Sequence, residues 1–256
     1  MENAFGQPQN VVVFGGSSDI AVAIMQRLVR ARARTVVLAG RNQLLLDQAA
    51  GTLRDEGATA TSTVLFDAQD PFSAGLAVSQ AFDQMNGPVD LVLIAVGALG
   101  HQFTDENDAT ASAQMATINF AWPVAALAEI RRRLVAQGSG RILVMSSAGA
   151  IRVRRGTYLY GGARAGLDRL CEGLADSLLG TGVTIQVVRP AFVRSKMTAG
   201  LDPTPFSTGV DQVADAVLKG LATNRLVIWS PALLRYVFMI LRHLPAGLWR
   251  KLNGDR

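Results

Sequence analysis

A chain of 256 residues, 49% hydrophobic and 18% charged, can bury a sizeable core, which excludes a disordered class. The formal net charge of +5 resides wholly in the C-terminal part: Arg225, Arg235, Arg242, Arg250, Lys251 and Arg256 stand there against one acid, Asp255. These cations lie among large apolar residues rather than along a polar stripe, which points to an anionic partner and away from nucleic acid. A single cysteine, Cys171, excludes an internal disulfide and reads as a buried structural thiol.

The start, MENAFGQPQN, lacks the basic and apolar regions of a secretory leader, so a cytosolic, reducing compartment is the expectation. NVVVFGG reads as the first strand, followed by a helix over about 19–32. TVVLAG is the second strand, and the helix after it ends at Gly57. TSTVLFD is the third strand, PFSAGLAVSQAFDQMNG a helix, and VDLVLIAVG the fourth strand. A long helical stretch covers about 109–137, with a kink expected at Trp122-Pro123. GRILVMSS is the fifth strand, residues 158–179 a helix, and VTIQVVRP the sixth strand. A helix near 210–222 and the run RLVIWS complete the pattern.

Strands that are apolar throughout suit a parallel sheet covered on both faces. Their alternation with helices predicts an α/β chain with a doubly wound, Rossmann-like parallel sheet, whose ligands bind beyond the strands' carboxyl ends. The boundaries expected are a doubly wound domain over 1–230 and an apolar-basic helical tail over 231–256, either part of that domain or an extension of it.

At the end of the first strand, FGGSSDIAVAI has glycines for a tight turn and serines that can donate to phosphate or cap a helix. The full G-x-G-x-x-G spacing is absent, so the stretch by itself leaves open a dinucleotide loop and an ordinary strand-to-helix turn. Gly40-Arg41 ends the second strand where a cofactor with a free ribose 2′-hydroxyl meets an acid. No acid stands there, so a bound dinucleotide would be NADPH rather than NADH, unless Arg41 is merely solvated.

Jointly, these residues resemble the short-chain dehydrogenase/reductase family over nearly the whole chain. The resemblance places Gly15, Gly16, Ser17, Ser18, Asp19 and Ile20 in the family's glycine-rich turn, and Asp67 with Ala68 against adenine. Ala95, Val96 and Gly97 resemble its N-A-G segment, with Ala95 in place of the asparagine. It further places Pro190, Val193 and Ser195 at the nicotinamide, Asn119 in a proton relay, Ser147 as the group that polarises a carbonyl, and Tyr160 as the acid.

Ser147 precedes Tyr160 by thirteen residues, the family's spacing, and Arg164 stands four residues after it, on the same helical face. The family has lysine at that position. Arginine keeps the charge and can reach a ribose hydroxyl, but it cannot shuttle a proton. A slowed but competent site is the expectation, with NAD(P)H as the cofactor.

Three segments, SSAGAIRVRRGTYLYGGARAGLD, RPAFVRSKMTAGL and WSPALLRYVFMILRHLPAGLWRKL, are similar to actinobacterial family members that reduce a polyprenylphosphoryl 2-keto-pentose on the route to the arabinan of the cell wall. That similarity implies a polyprenyl-phosphate sugar as substrate, a flavin-dependent oxidase as partner, and a place at the inner face of the plasma membrane. Another lipid-like ketone, or a non-catalytic partner of the oxidase, would leave much the same sequence.

Arg152, Arg154 and Arg155, between the serine and the tyrosine, suit a substrate phosphate or a solvated basic loop. The tail is too interrupted to span a membrane. Leu, Phe, Met and Trp beside arginines suit an interfacial helix on anionic lipid, which the charge concentration favours over a helix packed on its own domain or on a second copy. Pairing into a homodimer or tetramer is implied by the family alone. His101 and His243 are isolated, and no metal constellation is present.

Overall fold

The computed structural model describes residues 7–223 and 225–253. Met1 to Gly6, on which the leaderless reading partly rests, and Asp255 and Arg256 lie outside the described residues.

In chain order the elements are β1 (Asn10–Phe14), α1 (Asp19–Arg30), β2 (Thr35–Gly40), α2 (Gln43–Asp55), β3 (Ala60–Leu65), α3 (Ala74–Asp83) and β4 (Leu91–Ile94). There follow α4 (Gln102–Asp105), α5 (Ala109–Ala116), α6 (Trp122–Gln137), β5 (Gly140–Met145), α7 (Tyr158–Ser177) and β6 (Val183–Pro190). The chain closes with β7 (Val193–Arg194), β8 (Thr208–Gly209), α8 (Val210–Leu221), β9 (Val227–Ser230), α9 (Leu234–Leu241) and α10 (Ala246–Asn253).

Seven strands form one parallel sheet in the order β3-β2-β1-β4-β5-β6-β9. Chain order reverses between β1 and β4, so a crevice opens beyond their carboxyl ends. One face of the sheet carries α1, α2 and α8, with Ile24, Leu46 and Val213 fully buried; the other carries α3, α6 and α7, with Val78, Ile130 and Leu167 fully buried. This double cover explains why the central strands alternate no polar residues. The doubly wound expectation holds.

The long helix predicted over 109–137 is divided. A π-helical turn, Thr117–Ala121, separates α5 from α6. Pro123 has no N–H to offer the carbonyl four residues back, Asn119, so the ladder is disturbed one turn before the proline. Trp122 then anchors α6, stacking on Phe66 at 4.4 Å and donating from Nε1 to Ser73 Oγ at 3.2 Å.

The tail is also two helices rather than one. Pro245 sits between α9 and α10, where a continuous helix would need its missing N–H. Among the described residues no helix is long and apolar enough to cross a membrane.

Cys171 on α7 is fully buried, and burial, with Asp168 and Glu172 nearby, pushes its thiol up to about 12. It is expected to stay unmodified by a charged disulfide reagent in the native protein and to react only on denaturation. Prompt native labelling, read from the released chromophore, contradicts a structural thiol.

Candidate active site

The turn after β1 meets the end of β4 at the point where strand order reverses. Gly15 has φ +84°, and a Cβ there would lie 2.7 Å from the Ala95 carbonyl carbon and oxygen. At Gly16 a Cβ would lie 2.8 Å from that of Leu38. The N–H groups of both glycines donate to the Ala39 carbonyl, at 2.8 and 2.9 Å. Only glycine fits this approach, and it leaves the N-terminus of α1 at the crevice. Ser18 is the N-cap of α1 yet its side chain makes no capping bond, so its hydroxyl is available to a phosphate oxygen. Asp19 is differently engaged: its carboxylate accepts from the Lys196 N–H at 2.7 Å and pairs with its Nζ at 3.2 Å, tying α1 to the turn after β7.

Along the same sheet edge, Arg41 directly follows β2 and is exposed, with no ion pair among the described residues. Asp67 and buried Ala68 follow β3, and the Asp67 carboxylate accepts from Gln69 N–H at 2.9 Å. Gly15, Gly16, Ser17, Arg41, Asp67 and Ala68 thus follow three adjacent strands at the carboxyl edge, where a doubly wound sheet takes a dinucleotide. These residues fit such a cofactor.

On the other side of the crevice lies a cleft of about 1230 Å³. Ser147, Tyr160, Arg164, Ala95, Pro190 and Val193 line it together with Ile20 and Ser195. Tyr158 does not, and its side chain is 42% exposed outside it. Ser147 follows β5 and its Oγ accepts from Gly149 N–H at 3.1 Å, which orients the hydroxyl. Gln102 of α4 accepts from Leu159 N–H at 3.0 Å and steadies the start of α7.

Arg164 is beside Tyr160 as the helical spacing requires, its guanidinium carbon 5.4 Å from the ring centroid. It is also almost wholly buried. Nη2 donates to the Val96 carbonyl at 2.8 Å and Nη1 to the Met145 carbonyl at 3.1 Å, while buried Nε has no partner. The sequence reading directed this side chain at a ribose; the structure directs two of its nitrogens to the ends of β4 and β5. Gly97 makes the room, since a Cβ there would lie 1.9 Å from Nη2. The planar fork suits two carbonyls, one just past β4 and one at the end of β5, where a lysine ammonium would be a single point.

Asn119 on the π-helical turn is fully buried. Its Nδ2 donates to the carbonyls of Ala98 and Met115, both at 2.9 Å, and its Oδ1 accepts from Ala98 N–H at 3.2 Å. It therefore fixes the loop after β4.

Two features escaped the sequence reading. Asp168, four residues after Arg164 on the same face of α7, is buried and accepts from Ser146 Oγ at 2.8 Å and from Arg189 Nε at 2.9 Å. Arg189 Nη2 completes a bidentate pair with Asp168, and Glu172 stands at 3.2 Å. The guanidinium lies 5.2 Å over Trp229, which stacks on Phe238 of α9. An arginine inside the apolar run VTIQVVRP was the available signal, because a buried cation needs a carboxylate. Asp168→Ala is expected to lower stability by about 3 kcal/mol by leaving Arg189 with only half-exposed Glu172. Chemical denaturation checks this, and a change within error contradicts it.

The second feature is the latch between the arginine-rich loop and the tail. Arg152 Nη2 donates to the Leu244 carbonyl at 3.0 Å, its guanidinium lies 5.2 Å over the Trp249 ring, and Trp249 Nε1 donates to the Val153 carbonyl at 3.3 Å. Arg152 Nε is buried without a partner. Arg154 and Arg155 are exposed and line the same cleft. Leu234, Val237, Phe238 and Leu241 of α9 form its apolar wall. Among the described residues no cluster could hold a metal ion.

A sequence model described as short chain dehydrogenase matches residues 9–205. An uncharacterized oxidoreductase of Mycobacterium tuberculosis is 39% identical over 242 residues, 94% of this chain and 96% of that one. Among solved structures, a short chain dehydrogenase from Burkholderia cenocepacia in complex with NADP aligns with a TM-score of 0.81 at 19% identity, over 98% of this chain and 99% of that one. A short chain dehydrogenase/reductase from Burkholderia phymatum in complex with NAD gives 0.80 at 20% identity, over 98% of each chain.

Proposed function

Because the chain belongs to the short chain dehydrogenase family, we propose that it is an NAD(P)H-dependent reductase of a ketone carried on an anionic lipid, a polyprenylphosphoryl 2-keto-pentose. One observation carries the reading. The cleft joins the Ser147–Tyr160 pair to an apolar wall from α9 and to Arg152, Arg154 and Arg155. A small polar ketone needs neither the wall nor the arginines. A keto-sugar with a phosphate and a polyprenyl chain uses both.

NADPH is favoured by Arg41, exposed at the end of β2 with no carboxylate beside it in the sequence, and the Burkholderia cenocepacia neighbour binds NADP. The Burkholderia phymatum neighbour binds NAD, so the preference rests on Arg41. When bound, the reduced dinucleotide supplies the hydride. Ser147 donates to the ketone oxygen and orients it. Tyr160 gives the proton that the oxygen needs as the carbonyl becomes an alcohol. Arg164 places a permanent cation beneath the Tyr160 ring and fixes the strand ends that shape the floor. Arg152 offers a buried N–H, and Arg154 and Arg155 exposed forks, to the substrate phosphate.

A ketone of this kind would come from oxidation of the corresponding alcohol, and the resemblance to the keto-pentose reductases implies a flavin-dependent oxidase as the partner that delivers it, at the inner face of the plasma membrane. NADPH consumption with a keto-lipid phosphate and with its dephosphorylated form tests the reading. Turnover should fall at least about tenfold without the phosphate. Equal turnover overturns the anionic part, and no turnover with either, in a chain that binds NADPH, overturns the reductase reading.

A further inference from the structure

We propose that the outward face of α9, with the cations beside it, docks the protein on an anionic lipid bilayer. Although α9 is apolar nearly all round, only one side is covered. Leu234, Val237, Phe238 and Leu241 face the cleft, whereas Leu233, Tyr236, Met239 and Ile240 are each more than half exposed. On a helical projection the exposed four share one arc, edged by Arg235 and Arg242 seven residues apart. A helix apolar on both sides is expected to be covered on both.

Charge selects the occupant. From Arg225 to Asn253 the sequence contains no carboxylate, while Arg235, Arg242, Arg250 and Lys251 are exposed. Arg154 and Arg155, also exposed, stand at the cleft that α9 walls. A second copy meeting this face through a two-fold axis would set cations against cations, which opposes self-association here. A bilayer rich in anionic lipid answers both properties at once. The apolar arc enters the boundary between headgroups and acyl chains, and the arginines meet lipid phosphate. Tyr236, with the Arg235 guanidinium 4.7 Å from its ring centroid, is the residue type that settles at headgroup depth. With eight residues α9 lies on the surface and does not cross it.

The contact extends the lipid-ketone reading, because Met197, Leu201 and Phe206 line the cleft and are about half exposed, an apolar path toward the site. Binding to vesicles and reduction of a ketone are separate measurements, so either can fail alone.

The test sediments the full chain with vesicles of phosphatidylcholine alone and of phosphatidylcholine mixed with an equal part of phosphatidylglycerol. Binding to the mixed vesicles should be at least about tenfold stronger and should weaken with salt. The Met239→Glu/Ile240→Glu variant, altered only outside the cleft, should bind them at least about tenfold more weakly while keeping its melting temperature and NADPH affinity. Vesicle binding equal in variant and parent overturns the proposal. So does a parent that forms a larger assembly which the variant dissolves, the signature of a second copy on this face. Absence of vesicle binding, with retention of the parent but not the variant on polyglutamate, overturns it in favour of an acidic protein.

Discussion

Tyr160→Phe is expected to lower turnover by about two to four orders of magnitude with little change in NADPH affinity or melting temperature. The substitution keeps the ring whose centroid lies 5.4 Å from the Arg164 guanidinium and removes only the hydroxyl. Tyr158→Phe, at a position exposed outside the cleft, should leave turnover unchanged. Steady-state rates of the two variants decide the assignment. Equal losses, or a loss confined to Tyr158→Phe, contradict it.

Arg164→Met should both silence and destabilise the protein. The methionine matches much of the length but leaves the Val96 and Met145 carbonyls without the donors they have now, at 2.8 and 3.1 Å. Each unpaired buried carbonyl costs about 1–3 kcal/mol, so unfolding free energy should fall by roughly 2–6 kcal/mol for the two. Arg164→Lys restores a charge but offers one point in place of a fork. It should recover part of the stability and most of the turnover. Denaturant unfolding and turnover, measured on both variants, separate the two roles. A methionine variant as stable and as active as the parent removes both from Arg164.

The doubly wound sheet was legible because its central strands are buried on both sides and cannot tolerate polar alternation. β6, an apolar run apart from Thr184, Gln186 and Arg189, was readable from Val183 to Pro190. That Ser147, Tyr160 and Arg164 meet at one cleft was legible through spacing: Tyr160 follows Ser147 by thirteen positions, and Arg164 follows Tyr160 by four. What spacing cannot convey is where a long side chain ends. Arg164 reaches the Val96 and Met145 carbonyls only because Gly97, distant in sequence, leaves room for it. The partnership of Arg189 with Asp168 likewise depends on β6 lying against α7, and the link from Arg152 to Leu244 on how the tail returns over the cleft. Breaks in helices were legible as events but not as positions. Pro123 disturbs Thr117–Ala121 because the lost hydrogen bond belongs to a carbonyl one turn back. Pro245, by contrast, parts the tail where it stands.

The central claim is that the cleft of Ser147, Tyr160 and Arg164 reduces an anionic lipid ketone. NADPH consumption by the purified chain with decaprenylphosphoryl 2-keto-pentose, with the product identified by mass spectrometry, tests it most directly. Stoichiometric conversion to the corresponding alcohol, lost in Tyr160→Phe, is the expected result. NADPH that binds but is never consumed, or consumption that persists in Tyr160→Phe, contradicts it.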